Sequence, residues 1–208
     1  MTPEDKSPDG KGHALYDRIV QALLDFISQI PNTKEAASDE PLERARAIAG
    51  AAARKAALVS GTLALPLGPV GWVTILPDLI EVWRIQRQMI ADLAGVFGKT
   101  PHLSQETMLY CMFRHAAAHA VRGLVVRVGE RILIRRASLR VLQGAANRIG
   151  MKLTQRLIGK GISRWLPILG ALGVAGFAYF DTGQVASTAI DLFGREIDID
   201  PGETRETT

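Results

Sequence analysis

The sequence predicts an all-α protein, a helical bundle with two apolar Pro/Gly-containing hairpin segments and a disordered acidic C-terminal tail. Apolar residues recur at spacings of three and four along most of the 208 residues. No sustained stretch alternates apolar and polar residues in the way that a half-buried strand does. We expect one domain over residues 14–194, with flexible ends at residues 1–13 and 195–208.

The first two helices follow from apolar spacing and proline positions. We predict one helix from about Ala14 to Ile30, because apolar residues line one face and Pro31 ends it. A second helix is expected from about Pro41, a favourable first-turn residue, to Leu63. The polar segment between these helices is expected to form a loop.

The next two helices are indicated by capping residues. Asp78 follows Pro77 and precedes an apolar run, so we expect it to cap a helix over residues 79–97 that ends at Gly98. Ser104 is expected to begin a fourth helix. Beyond it, we expect the basic stretch to continue as one or two helices, interrupted near Gly144 and Gly150.

Two long uncharged runs bear on membrane contact. Ala56–Pro77 has 22 residues, enough by count to cross a bilayer, and Trp165–Phe180 has 16. A turn interrupts the first run, which argues against a straight spanning helix; its residues are Pro66, Gly68, Pro69 and Gly71. The turn, with Trp72 beside it, is expected either at the depth of a membrane interface or inside the core.

The order of several segments resembles the EcsC family. They are a Pro/Gly turn, the sequence TILPDL, a helix with Gln86, a Gly-Lys stop, the segment LYCMFRHAAAHA and a late LGALGVAGFAYFDT. The resemblance spans roughly Ala51 to Phe193. It implies a helical fold and an association with membrane processes, and it supplies no catalytic motif.

The charge of +4 is distributed unevenly. Residues 122–164 carry 11 basic and 1 acidic side chains, whereas residues 165–208 carry 2 basic and 7 acidic ones. Intervals of four form a slowly winding basic stripe on a helix, with apolar residues between. The stripe predicts lipid contact; its residues are Arg127, Arg131, Arg135, Arg148, Lys152, Arg156, Lys160 and Arg164.

The basic stripe has three interpretations. Anionic lipid headgroups, nucleic acid, or the acidic ends of the same chain could each neutralise it. Nucleic acid is disfavoured, because no aromatic residue for base stacking occurs between Arg114 and Trp165. We favour an anionic membrane surface or a membrane transport protein as the partner, and the oligomeric state stays open.

A catalytic alternative is a metal-assisted hydrolase. His115 and His119 are four residues apart, which would let both imidazoles reach one metal on a regular helix. The HExxH motif is absent, so further ligands would have to come from other helices. The candidate site comprises Asp78, Glu81, Asp92, His115 and His119.

The remaining residue types favour a binding protein over an enzyme. Cys111 is the single cysteine, which excludes an internal disulfide framework and a Cys-rich zinc site. It lies between apolar residues, where a thiol is inert. We therefore predict no cofactor, no metal and no catalytic residue.

The polar N-terminal residues resemble no secretory signal, so we expect a cytoplasmic accessory protein, peripheral to the inner face of a membrane.

Overall fold

The computed structural model describes residues 8–63, 71–159 and 168–200, and within these ranges the chain is mostly helical, which confirms the predicted class. The α-helices are α1 (Pro8–Ser28), α2 (Pro41–Leu63), α3 (Gly71–Val96), α4 (Gln105–Val121), α5 (Leu139–Gly159) and α6 (Ile168–Phe193). A short 3-10 helix covers Thr100–His102, and the strands are β1 (Val125–Val128), β2 (Arg131–Arg135) and β3 (Glu196–Asp200).

Several helix ends match the sequence signals. Helix α2 has the predicted bounds, and Ser104 caps α4, because its hydroxyl accepts a hydrogen bond from the backbone N–H of Thr107 at 3.2 Å. Gly98 follows α3 with φ of 65°, a conformation that glycine adopts without strain. Helix α1 begins earlier than predicted, at Pro8, so residues 8–13 are helical.

The predicted capping role of Asp78 is wrong. Helix α3 starts at Gly71 and continues through Pro77, which places Asp78 inside the helix and away from its first turn. Proline removes one backbone donor and often ends a helix. Here the helix continues past that missing donor, so the proline is not a boundary.

The small sheet was not predicted. Strand β2 lies at its centre, antiparallel to β1 and parallel to β3, and Gly129 with φ of 61° lies in the turn between β1 and β2. The helical stripe expected over Arg127, Arg131 and Arg135 is therefore wrong. An interval of four is two strand periods as well as about one helical turn, so this spacing by itself does not distinguish a strand from a helix.

The tail prediction is also wrong for its first part. Residues 196–200 form β3, and Ile197 belongs to the main core. Residues 201–208 lie outside the part of the chain that the structure describes.

One main core contains residues of all six helices and all three strands. Helix α5 runs without a break through Gly144 and Gly150, contrary to expectation. A Cβ atom at Gly150 would lie 2.6 Å from Cγ2 of Val20, so this glycine lets α1 and α5 approach closely. Helix α6 packs most extensively on α2 and also contacts α3 and α4, which brings the two uncharged runs together.

Candidate functional site

The outward side of α6 exposes large apolar side chains. Phe177 is 62% exposed and Phe180 is 64% exposed, and they lie one turn apart. Val174 and Tyr179 are also exposed. A Cβ atom at Gly173 or Gly176 would meet no atom within 4 Å, so these two glycines do not serve the close helix packing that small residues often permit. Val174, Phe177 and Phe180 follow at intervals of three on one side of the helix, and we call these three residues the apolar face. Tyr179 is exposed about 100° from Phe180 around the helix.

The inner side of this part of α6 packs on the other uncharged run. Ala178 lies in a small buried cluster with Ala56 of α2 and with Val82 and Ile85 of α3. Close to this contact, Leu58 of α2 is exposed. The apolar face therefore belongs to a region in which α2 and α6 both lack charged residues.

A polar cluster, buried at Gln86 and Thr182, marks the point where the uncharged part of α6 ends. The Gln86 side chain, 1% exposed, donates from Nε2 to Asp181 Oδ2 at 2.8 Å and to Thr182 Oγ1 at 3.2 Å. Nε2 of His115 lies 2.7 Å from Asp181 Oδ1. A buried amide without a hydrogen-bond partner is costly, so Gln86 favours the packing of α3 on α6 in which these bonds form. The bond from His115 joins α4 to the same carboxylate.

Two of the three carboxylates of the predicted hydrolase site, Glu81 and Asp92, have structural partners. Glu81 forms an exposed ion pair with Arg84 at 2.9 Å. Asp92 accepts hydrogen bonds from Thr33 Oγ1 at 2.7 Å and from Gln88 Nε2 at 2.9 Å, which hold the loop after α1 against α3.

The two histidines are separated by a kink. Ala117 has non-helical angles, φ of −143° and ψ of 48°, between His115 and the exposed His119. This break invalidates the regular spacing on which the predicted metal pair relied. Among the described side chains, which do not include that of Asp78, no group of three His, Cys, Asp or Glu residues could hold a metal.

Two arginines of the predicted lipid-binding stripe are paired within the sheet. Arg131 Nε lies 3.3 Å from Glu196 Oε2, and Arg131 Nη1 lies 3.3 Å from Asp198 Oδ2. Arg135 Nε lies 3.5 Å from Asp200 Oδ2. For these residues the acidic end of the chain provides the balancing charge, which is one of the three interpretations of the stripe.

The part of the stripe on α5 has a different environment. Arg148 and Lys152 are exposed one turn apart, and α5 contains no acidic residue. Within the described ranges, neither side chain forms an ion pair or a hydrogen bond. Arg156 belongs to α5, whereas Lys160 and Arg164 lie outside the described residues.

The predicted turn is described only at its end. Pro66, Gly68 and Pro69 lie outside the described residues, Gly71 is the first residue of α3, and Trp72 lies in its first turn. In the described ranges, no helix combines the length and the apolar character needed to cross a bilayer.

Cys111 is fully buried in α4, and burial raises the pKa of its thiol far above the ordinary value. The thiol is therefore protonated and shielded at neutral pH. This agrees with the interpretation of Cys111 as a core residue.

Sequence reasoning missed the polar cluster and the exposure of the apolar face. Gln86, Asp181 and Thr182 each belong to segments that carry the EcsC resemblance, but pairing residues that lie 95 positions apart requires the fold. The apolar face could have been found from Phe177 and Phe180, whose spacing of three puts them on one side of a helix that carries no charge there. Comparisons with protein-family models, with curated proteins and with solved structures find no match, so the resemblance to the EcsC family stays a prediction.

Proposed function

We propose that this protein associates peripherally with an anionic membrane surface from the cytoplasmic side, as a non-catalytic accessory to a membrane transport protein or membrane-stress system. The observation that carries the proposal is the apolar face of α6.

The apolar face suits shallow insertion. Phe177 and Phe180 project from a helix whose first charged residue is Asp181, and the adjoining end of α2 is uncharged as well. Soluble proteins seldom leave clustered aromatic side chains in water without a binding role. Tyr179 adds a ring with a polar end, the type of side chain that is enriched at the level of the lipid headgroups.

Basic side chains supply the complementary electrostatic attraction. Arg54 and Lys55 are exposed on α2, one turn before Leu58, and Arg148 and Lys152 are exposed on α5. Each basic residue near an anionic leaflet contributes about 1 kcal/mol. Apolar insertion together with a few such charges is the combination that holds peripheral proteins on membranes.

The resemblance to the EcsC family supports the wider role. It points to membrane processes without pointing to a reaction, and it includes both uncharged runs. The polar cluster at Asp181 fits this proposal as a structural tie, because its hydrogen bonds hold α6 to α3 and α4 directly behind the apolar face.

Vesicle flotation tests the lipid contact. The protein should float with vesicles that contain phosphatidylserine and should remain at the bottom with neutral phosphatidylcholine vesicles. Replacing Phe177 and Phe180 by Ser should weaken binding by about tenfold or more, because two exposed aromatic side chains no longer enter the interface. The matched control replaces the exposed Ile30 and Leu42 by Ser, which should leave flotation unchanged.

Salt and charge variants test the electrostatic part. Binding should weaken steeply as salt rises, because the Debye length is about 10 Å at 0.1 M. Replacing Arg148 and Lys152 by Gln should weaken binding by about fivefold per residue. Equal flotation on neutral and anionic vesicles, or at low and high salt, would contradict an electrostatic contribution.

A further inference from the structure

The two halves of α6 are attached to the rest of the protein in different ways. The second half contributes five buried apolar side chains to the main core, which are Val185, Ala186, Ala189, Leu192 and Phe193. Among the described side chains of residues 173–180, only that of Ala178 is buried, in the small cluster with α2 and α3. An alanine buries little apolar area, so this contact holds the first half of α6 weakly.

Gln86 supplies a polar contact at the junction of the two halves. From α3, its side-chain amide donates to Asp181 and Thr182, the two residues of α6 that follow Phe180. Gln86 is 1% exposed and Thr182 is fully buried. If the first half of α6 moved away from α3, these groups would lose bonds that water cannot readily replace inside the protein.

The direction of these bonds matters because the first half of α6 is uncharged on every side. Its sequence from Ile168 to Phe180 contains no acidic or basic residue. A helix that is apolar all round can pack on its neighbours in several arrangements of similar energy. Hydrogen bonds require a defined geometry, so the amide of Gln86 selects the arrangement in which Asp181 and Thr182 face α3.

We propose that Gln86 is a positioning residue for membrane binding, because its two hydrogen bonds hold the first half of α6 with Phe177 and Phe180 directed outward. This inference rests on the proposed membrane association. Gln86 is buried and acts through α6, which carries the apolar face. A surface that is held in place before binding does not have to be ordered when it binds, which increases its affinity.

The test replaces Gln86 by Met, which has a similar length and no hydrogen-bond donor. His115 still binds Asp181 from α4 in this variant, so the first half of α6 should loosen without unfolding. The matched control is Gln88→Met on the same helix. Gln88 also donates two hydrogen bonds from Nε2, to the carbonyl oxygen of Asn32 at 3.0 Å and to Asp92 Oδ1 at 2.9 Å, and neither partner belongs to α6.

Amide hydrogen exchange measures the hold on α6 without any lipid. In Gln86→Met, residues 173–180 should exchange about tenfold faster than in the unmodified protein, while residues 185–193 stay protected by the main core. In Gln88→Met, exchange in both parts of α6 should be unchanged. The urea midpoints of the two variants should be similar, since each loses two hydrogen bonds.

Vesicle binding shows whether this hold serves the apolar face. Gln86→Met should bind phosphatidylserine vesicles about fivefold more weakly than the unmodified protein, and Gln88→Met should bind within about twofold of it. In a chain that already carries Phe177→Ser and Phe180→Ser, Gln86→Met should change binding by less than about twofold, because the side chains that it positions are absent. A general loss of structure would instead weaken binding in both backgrounds.

The outcomes separate this inference from the proposed function. Unchanged exchange of residues 173–180 in Gln86→Met overturns the inference, and so does unchanged binding of that variant. A loss of binding that persists in the chain without Phe177 and Phe180 also overturns it, and in all three cases the membrane proposal stands. If the unmodified protein itself does not float with anionic vesicles, the proposed function is wrong.

Discussion

His115 on α4 donates a hydrogen bond to Asp181 on α6 over 2.7 Å, two residues before α4 bends at Ala117. The same carboxylate accepts a hydrogen bond from the buried amide of Gln86 on α3. Three helices that meet from different directions are therefore joined at one carboxyl group. This group lies immediately after Phe180, the last member of the apolar face.

Replacing His115 by Ala should destabilise the protein by about 1 kcal/mol, because Asp181 loses one of its partners. His119 is exposed and serves as the matched control, and its replacement by Ala should change stability by less than about 0.5 kcal/mol. Urea unfolding followed by circular dichroism measures both variants. Equal losses would show that the link between α4 and α6 carries no stability.

Two glycine-to-alanine replacements should have opposite effects. A Cβ atom at Gly95 would lie 2.5 Å from the carbonyl oxygen of Glu35, so Gly95→Ala should cost about 1–3 kcal/mol. At Gly173, which faces open space within α6, the same change should stabilise the protein by up to about 1 kcal/mol, since alanine favours helix. Thermal unfolding should show one midpoint lowered and the other raised. A stabilising Gly95→Ala would contradict the close contact between the loop and α3.

The isoleucines of β3 should differ in their contribution to stability. Ile197 is buried in the main core, and its replacement by Ala should cost about 2–4 kcal/mol. Ile199 is 41% exposed, so its replacement should cost less than about 1 kcal/mol. Similar urea midpoints for the two variants would indicate that β3 is not anchored through Ile197.

Cys111 should react only when the protein unfolds. Its thiol is buried, so a disulfide reagent should label the native protein roughly a thousandfold more slowly than the chain in urea. Burial also raises the pKa of this thiol in the folded state. The contribution of Cys111 to stability is therefore complete at neutral pH, and it falls as pH rises above about 8.5, where the unfolded thiol ionises. Rapid labelling of the native protein would show that solvent reaches α4.

The helices could largely be predicted because each depends on local signals. Pro41 and Ser104 lie at helix starts and Gly98 lies just after a helix end, as their backbone preferences suggest. The prediction failed at Pro77, which was expected to precede the start of a helix and lies inside α3. Helix α3 tolerates the lost backbone donor and extends to Gly71.

The sheet was missed because its signal is short and lies within a charged context. The sequence EIDID alternates isoleucine with acidic residues, whereas RILIR is an apolar triplet, Ile-Leu-Ile, between two arginines; each strand signal is only five residues long. The spacing of Arg127, Arg131 and Arg135 favoured a helix equally well. The backbone pairing of β2 decides between the two, because β2 pairs with β1 across the turn at Gly129 and with β3 across more than 60 residues of sequence.

The core position of Ile197 moves the end of the folding unit beyond Gly194. A chain shortened at Gly194, where the tail was expected to begin, would lose β3 and leave the backbone donors and acceptors of β2 without a neighbour on that side. The exposed edge of β2 could then pair with a strand of another molecule, and its apolar residues Ile132 and Ile134, which are buried in the complete fold, would favour aggregation. Recombinant versions of the protein should therefore retain residues 195–200.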